Sequence, residues 1–522
     1  MGLVDKFLNM IGRNEKPSLR QYKGAMNSRL SPGWVIRYTS ADAEIYQSLL
    51  ALRSRSRELV RDNDYARSAL RAIVNNVIGQ GITLHPQVKQ RRGGKLDDKI
   101  NGMIRDAWNE WTRKNNCSAN GLLSFSDIER LAVRSTVESG EVFIRLIKQQ
   151  FGESKIPLGL EVIESDQVDV NYNVGKLPNG NTIRMGVERD QWFRPVAYWF
   201  TMSHPGDLVM SAEMVDRRRI PADEIIHIYM SERPGQTRGV PWFHTAIVRM
   251  IQLGGYEEAE IVRARGEAAI MGFIESPEVD AMTDGSYDSH YDRVTDMEPG
   301  TIKQLSPGES FTAHVPNRAG GNYEPFVRAM LRGIASGVGV SYETLSRDYS
   351  QSNYSSSRLA LLDDRDQWRI LQSWIIETLH DRVYRAWLDM AVLSGTLSFP
   401  AFEQSPEVYR EARFKPRGWS WVDPVKEIEA AKAALRIGVT TRTDIISEQG
   451  GDIDDIMAAL SQEKIVADSL GLVFDSDPSK VAANGKADAT STTVDPADAS
   501  NQNADQADSQ AAKSAKKSKA PK

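Results

Sequence analysis

A single cysteine, Cys117, occurs in 522 residues. That excludes a disulfide framework within the chain and fits a reducing compartment. Histidine is scarce as well: the seven lie at 85, 204, 227, 244, 290, 314 and 380, and no two form H-x-x-x-H. One thiol and no paired imidazoles exclude a zinc knuckle. G-x-x-x-x-G-K-[ST] and G-x-S-x-G are also missing, which removes the P-loop and the nucleophile elbow. No apolar run approaches the roughly 20 residues that a membrane span needs. The opening "MGLVDKFLNMIGRNEK" lacks a signal-peptide core, and Lys6 stands where a myristoylation motif wants Ser or Thr. These absences predict a soluble intracellular protein with no cofactor, no metal and no membrane partner.

What is present is ordinary in bulk and unusual in order. Apolar residues make up 40% and charged residues 26%, with a formal net charge of −5. The length predicts about two to four domains. The negative balance argues against a protein that coats DNA, which needs clustered Lys and Arg. From Ala43 to about Ile78 the apolar spacing is helical and carries Arg53, Arg55, Arg57, Arg61, Arg67 and Arg71. A solvated face with Glu58, Asp62 and Asp64 as local partners is the plain reading of that run, and DNA contact is the other. Further helical stretches follow, one with Trp108 and Trp111, the next capped by Ser126 with Glu129. From Glu141 the period shortens to that of strands, with hairpins around "NYNVGKLPNGN" and "RDQWFR". His227, in "EIIHIYM", alternates with apolar residues and predicts a core or cross-strand histidine.

Helical spacing returns from Thr245 to Ile274, then breaks for 276–322, a Pro-, Gly- and Asp-rich excursion that predicts a small β module. Within it "DAMTDGSYDSHYD" imitates a calcium loop, but Met282 and Tyr291 occupy ligand positions, leaving at most a loose group of Asp284, Asp288 and Asp292. After a helix over Tyr323–Gly337 comes "TLSRDYSQSNYSSSRLALL". No histidine lies near its serines, and a nucleophile needs a base within reach. Turn formers leading into a helix N-terminus account for it better. From Tyr354 to about Leu393 there is no Pro or Gly, which predicts one very long helix. Asp423 and Pro424 open a helical end domain, and the residues from Phe474 have little to bury and read as a disordered tail.

The run "DYSQSNYSSSRLALL" resembles the hallmark of the lambda-type tailed-phage portal proteins. "RSRELVRDNDYARSALRAIVNNVIGQGI", "WNEW", "GEVFIRL", "LEVIESDQVD", "GVERD", "RPVAYWF", "IIHIYMSERPGQTRGVPWF" and "WVDPVKEIEAA" agree with that family in order, over roughly Ser40–Leu472. Ser118 departs from it, standing where an acidic residue is expected after "NNC". The resemblance implies an α+β, elongated, ring-forming subunit with an α/β wing, helical stem, β-containing clip and helical crown. It implies a homo-oligomer, usually a dodecamer, at one capsid vertex of the virion, assembled in the host cytoplasm. Double-stranded DNA would pass through the channel, moved by the terminase large subunit. Other implied partners are the head–tail adaptor and the major capsid and scaffolding proteins.

Carried onto this chain, the resemblance makes 1–39 an N-terminal arm, 40–235 the first wing part, 236–275 a stem helix, 276–322 the clip and 323–340 the returning stem helix. It makes 341–353 a tunnel loop, 354–424 the long wing helix and following segment, 425–473 the crown and 474–522 the tail. The DNA-channel candidates are then Arg347, Asp348, Tyr349, Ser350, Gln351 and Asn353. Tyr354, Ser355, Ser356, Ser357 and Arg358 form the helix start behind the loop. No residue is expected to be catalytic. The competing expectations are a nucleic-acid-processing enzyme using Asp284 and Asp288, and a DNA-binding module using Arg53, Arg55 and Arg57.

Overall fold

The computed structural model describes residues 38–90, 94–207, 216–268, 272–275, 310–313, 323–351, 353–400, 402–420, 422–451 and 453–472. They fall in two compact units that divide between Arg417 and Gly418. The first unit opens with α1 (Ala41–Asp62) and α2 (Asp64–Val77). The single helical run expected there is broken at Asn63, which is extended and whose side chain accepts the Ala66 N–H at 3.0 Å. A capping residue inside a helical pattern thus starts a second helix. Then come β1 (Thr83–Pro86), α3 (Asp98–Trp111) and α4 (Phe125–Ser139). The cap of α4 is Ser124 with Asp127, not the expected Ser126 with Glu129. Glu129 is turned inward and fully buried.

The β-rich third contributes β2 (Glu141–Ile147), β3 (Gly159–Ile163), β4 (Thr182–Arg184), β5 (Val187–Arg189), β6 (Pro195–Thr201), β7 (Arg217–Pro221) and β8 (Ile225–Tyr229). They form two antiparallel sheets, β3-β2-β8 and β4-β5-β6-β7. Phe143 and Ile225 from the first sheet pack with Val187, Tyr198, Phe200 and Ile220 from the second. Both expected hairpins form: Val174 bridges Ile183, and the Asp190 carbonyl accepts the Phe193 N–H at 3.0 Å. Ser118 is buried, and its hydroxyl donates to Asn120 Oδ1 at 2.6 Å. An acidic side chain there would need a charge partner that the hydroxyl does not.

Next is α5 (Ile247–Ala268), shorter than expected, because Gly272–Glu275 is strand β9, paired antiparallel with β10 (Ser310–Ala313). Of this pair β10 lies within the 276–322 excursion and β9 just ahead of it; Asp280, Asp284, Asp288 and Asp292 lie outside the described residues. Then follow α6 (Tyr323–Val338), α7 (Tyr342–Ser346) and α8 (Tyr354–Ile375). A π turn, Ile376–His380, joins α8 to α9 (Asp381–Leu393). The long helix is therefore continuous but carries one widened turn, a feature often found where a side chain intrudes on the ladder. His380 stands at that turn, buried, its Nδ1–H donating to the Ile375 carbonyl at 3.3 Å and its Nε2 facing Glu129 Oε1 at 2.6 Å. Beyond it, Tyr384 packs on Trp108, and Trp387 packs on Trp108 and Trp111, with Trp108 and Trp387 ring centroids 5.0 Å apart; Phe125 lies against both of those tryptophans. The unit ends with α10 (Pro406–Arg410) and β11 (Ala412–Lys415), which pairs with β1. The second unit contains α11 (Pro424–Ile437), capped by Asp423 as expected, α12 (Arg442–Glu448) and α13 (Ile453–Leu470). The fold class is α+β.

A buried charge cluster ties these pieces together. Glu141 at the start of β2 receives Arg53 from α1, Arg238 Nε at 2.6 Å, the Gly239 N–H at 2.7 Å and His227 Nε2–H at 2.9 Å. Arg238 spends its remaining donors on the carbonyls of Val168, Met185 and Ser165. Burial raises the Glu141 pKa, but Arg238 and Arg53 outweigh it and hold the carboxyl well below its usual range. Burial lowers His227, so its ring is neutral and donates from Nε2. Gly140 and Gly239 allow this approach, since a Cβ on Gly239 would sit 2.1 Å from the Gly140 carbonyl oxygen. Arg53 and Arg57 therefore correct the solvated-face expectation: Arg53 is buried against Glu141, and Arg57 pairs with Asp166. The DNA-binding alternative loses Arg53 for the same reason. Among the described residues, Arg61 is the one arginine of the run paired with a foreseen local partner, Asp62.

Candidate functional site

The stretch 341–358 is built from two caps facing each other across an exposed turn. At one end Ser341 caps α7, its hydroxyl accepting the Thr344 N–H at 3.2 Å. Leu345 is buried beneath. Asp364, buried on α8, receives the Ser341 N–H at 2.8 Å, the Ser341 hydroxyl at 2.7 Å and the Thr344 hydroxyl at 2.6 Å. The short helix is thus fastened to the long one by a single carboxylate. Arg347 ends α7 in the left-handed region at φ 59°, its N–H donating to the Glu343 carbonyl. That conformation is uncommon for a residue with a Cβ, and it turns the chain sharply away from the helix. The expected loop 341–353 therefore begins as a helical turn, and only the part from Arg347 onward is irregular.

At the other end Asn353 caps α8. Its side chain accepts the Ser356 N–H at 2.8 Å, while the Ser356 hydroxyl accepts the Asn353 N–H at 3.1 Å. This reciprocal pair is a capping box, so Ser356 holds the helix start. Ser355 is exposed, Ser357 half-buried with its N–H on the Asn353 carbonyl, and Arg358 half-buried. Tyr354 is the first residue of α8. Neither ring nitrogen of His380 is open to these serines, since one meets Ile375 and the other Glu129.

Between the caps, Asp348 is the anchor. It accepts the Tyr342 hydroxyl at 2.8 Å and the Ser350 N–H at 3.0 Å. Hydrogen bonds from Ser350 and then Tyr342 lower its pKa to about 2, so it is a carboxylate at neutral pH. Arg328 on α6 reaches Gln351 Oε1 and lies 3.9 Å from Asp348, and the Arg332 guanidinium stands 5.5 Å from the Tyr342 ring centre. Asp348 and Gln351 are thereby braced, while Arg347, Tyr349 and Ser350 are exposed, Tyr349 by 58%. The arrangement presents guanidinium, phenol and hydroxyl groups from a fixed frame.

Among the described residues, Glu164, Asp166 and His204 are close enough together to hold a cation. The hydrogen bonds speak against that use. The Gly206 N–H donates to His204 Nδ1 at 3.0 Å, which leaves the neutral ring's proton on Nε2, the nitrogen facing Glu164 at 3.3 Å. Asp166 is already neutralised by Arg57. Nor is any helix among the described residues long and apolar enough to cross a membrane.

Residues 27–372 match the family described as "Phage portal protein, lambda family". The chain is also 32% identical over 460 residues to the "Probable portal protein" of Halomonas phage phiHAP-1, covering 86% of this chain and 87% of that one. The chain belongs to the lambda family of phage portal proteins. It is similar at 21% identity to "Portal protein B" of Escherichia phage lambda, over 89% of this chain and 93% of that one. A chain from the neck of a native GTA particle, computed with C12 symmetry, aligns with 76% of this chain and 92% of its own at 14% identity and a TM-score of 0.41.

In this portal-family chain the residues that sequence reasoning missed are the ones that hold the loop rather than those displayed on it: Asp364, Arg328, Ser341 and Tyr342. Asp364 carried a readable signal. It lies on the same helical stripe as Trp368, Gln372 and Ile375, all buried, and a carboxylate on an apolar stripe demands donors. Arg328 carried none, because beyond Glu324 on its own helix its partners Gln351 and Asp348 come from the loop, and Tyr342 meets Asp348 only once the turn at Arg347 has formed.

Proposed function

We propose that this portal-family chain forms a ring of twelve subunits at one capsid vertex, through which double-stranded DNA is packaged and later ejected. The loop Arg347–Asn353 faces the DNA in this reading, with 40–235 as wing, 236–275 and 323–340 as stem, 276–322 as clip and 425–473 as crown. The ring docks the terminase large subunit during packaging and the head–tail adaptor afterwards. It nucleates procapsid assembly with the major capsid and scaffolding proteins in the host cytoplasm, and it remains in the virion. The subunit is a passive conduit and no enzyme; the motor is the terminase. A net charge of −5 suits that role, since strong phosphate pairing along a channel would oppose movement.

The observation that carries the reading is an exposed loop capped at both ends, by Ser341 and by Asn353, inside the span that matches the portal family. Imaging of the purified protein and of particles tests it: rings are expected, and a strictly monomeric species under all conditions refutes it. Tyr349→Ala with Gln351→Ala, which leaves both caps in place, is expected to keep the ring and to impair DNA packaging or retention. Packaging and retention equal to wild type would remove the loop from the channel.

A further inference from the structure

Arg67, Arg71 and Arg347 line one cleft of about 330 Å³, together with Asp64 and Ser68. Arg67 and Arg71 stand one turn apart on α2 and share a face. Arg347 joins them from the loop, delivered by its left-handed cap position. All three are exposed, and none makes an ion pair with a carboxylate among the described residues. The other half of the arginine run differs: Arg53, Arg57 and Arg61 are matched by Glu141, Asp166 and Asp62. Three guanidiniums that converge with no carboxylate paired to them among the described residues repel one another, and Asp64 offsets only one of them. The cleft is left with a surplus of two positive charges and a hydroxyl, and guanidinium forks suit the paired oxygens of a phosphate.

We propose that this cleft is a seat for a single phosphate group, gripped by Arg67, Arg71 and Arg347. The ligand chemistry is a phosphate, and its source is either the backbone of duplex DNA beside the loop or free phosphate. The DNA source rests on the conduit reading; the seat itself does not. One seat per subunit holds DNA weakly enough to let it slide, because an attachment of this kind is ionic and exchanges readily with salt.

The test uses the full-length protein in whatever assembly it forms. In one arm, binding of a short duplex DNA is measured from 50 to 200 mM salt. Arg71→Ala is expected to weaken it several-fold and to make the slope of log affinity against log salt shallower by about one for each phosphate no longer neutralised. Arg71→Lys, which keeps the charge and loses the fork, should fall between. Arg55→Ala, an exposed arginine outside the cleft, should match wild type. In the second arm, inorganic phosphate is titrated while thermal unfolding is followed, and its stabilising shift should vanish in Arg67→Ala and Arg71→Ala. A change in the second arm alone keeps the seat and assigns free phosphate as its source. Wild-type behaviour of Arg71→Ala in both arms and of Arg67→Ala in the second overturns the seat and leaves the conduit reading intact, while a failure to form rings overturns the conduit reading and not the seat.

Discussion

Replacing Glu141 by glutamine (Glu141→Gln) removes the negative charge that two buried guanidiniums share. Arg53 and Arg238 both lie against its carboxylate, and both side chains are essentially inaccessible to solvent. Hydrogen bonding is not the main loss. Arg53 still reaches the carbonyls of Ser139 and Ser165, and Arg238 those of Val168, Met185 and Ser165. The loss is charge compensation. The cluster, with neutral His227, changes from one net positive charge to two, and breaking a buried pair in this way costs about 3–5 kcal/mol. Against a typical total of about 5–15 kcal/mol, that is a large fraction. By the same scale Arg53→Met should be milder, because Glu141 and Arg238 remain as a neutral pair. Calorimetry or urea unfolding of the three proteins at pH 7 checks the order: wild type, then Arg53→Met, then Glu141→Gln as the least stable. The pH dependence adds a second reading. The folded pKa of Glu141 is depressed from its ordinary 4.5, so its contribution is present above about pH 4.5 and is lost as pH falls through the folded value. The gap between wild type and Glu141→Gln should be constant from pH 7 to 5 and close below it. Glu141→Gln unfolding with wild-type stability at pH 7 would refute the reasoning, as would Arg53→Met proving the weaker of the two.

Two further predictions concern the frame of the loop. Asp364→Asn exchanges three charge-assisted hydrogen bonds for weaker ones and should cost the segment 341–350 about 2–3 kcal/mol of local stability, so that its amides exchange hydrogen roughly 30- to 150-fold faster; unchanged exchange would show that Asp364 does not fasten α7. Asn353→Ala removes the cap of α8 at a cost of about 1 kcal/mol, visible as faster exchange confined to the first turn, while Asn353→Ser should restore protection.

Legibility followed the range of the interaction. Asp423 with Pro424, the hairpin at Asp190–Arg194 and the core position of His227 are decided within a few residues, and all are readable. The cap of α4 is ambiguous because "SFSDIE" offers both Ser124 with Asp127 and Ser126 with Glu129 at capping spacing, and only burial of Glu129 against His380 breaks the tie. The π turn is invisible for a similar reason. Nothing in "SWIIETLHDRV" interrupts helical spacing, and the turn stands where a buried histidine bonds one carbonyl of its own helix and a carboxylate on another.

The arginine run shows where the remaining information lay. Arg53 and Arg57 are four residues apart, and so are Arg67 and Arg71, so neither charge nor spacing separates the pair that holds the fold from the pair that lines the cleft. Phase does. Arg53 falls in register with Leu49, Ser56 and Val60, all buried, and therefore had to enter the interior with a partner. Arg67 and Arg71 fall outside the buried stripe of Ala66, Ala69, Leu70, Ile73 and Val77 and had to remain in solvent. What phase cannot supply is the partner. Glu141 lies 88 residues from Arg53 and 97 from Arg238. The whole β-rich third separates Arg347 from Arg71 along the chain, so both meetings exist only once the chain has closed on itself.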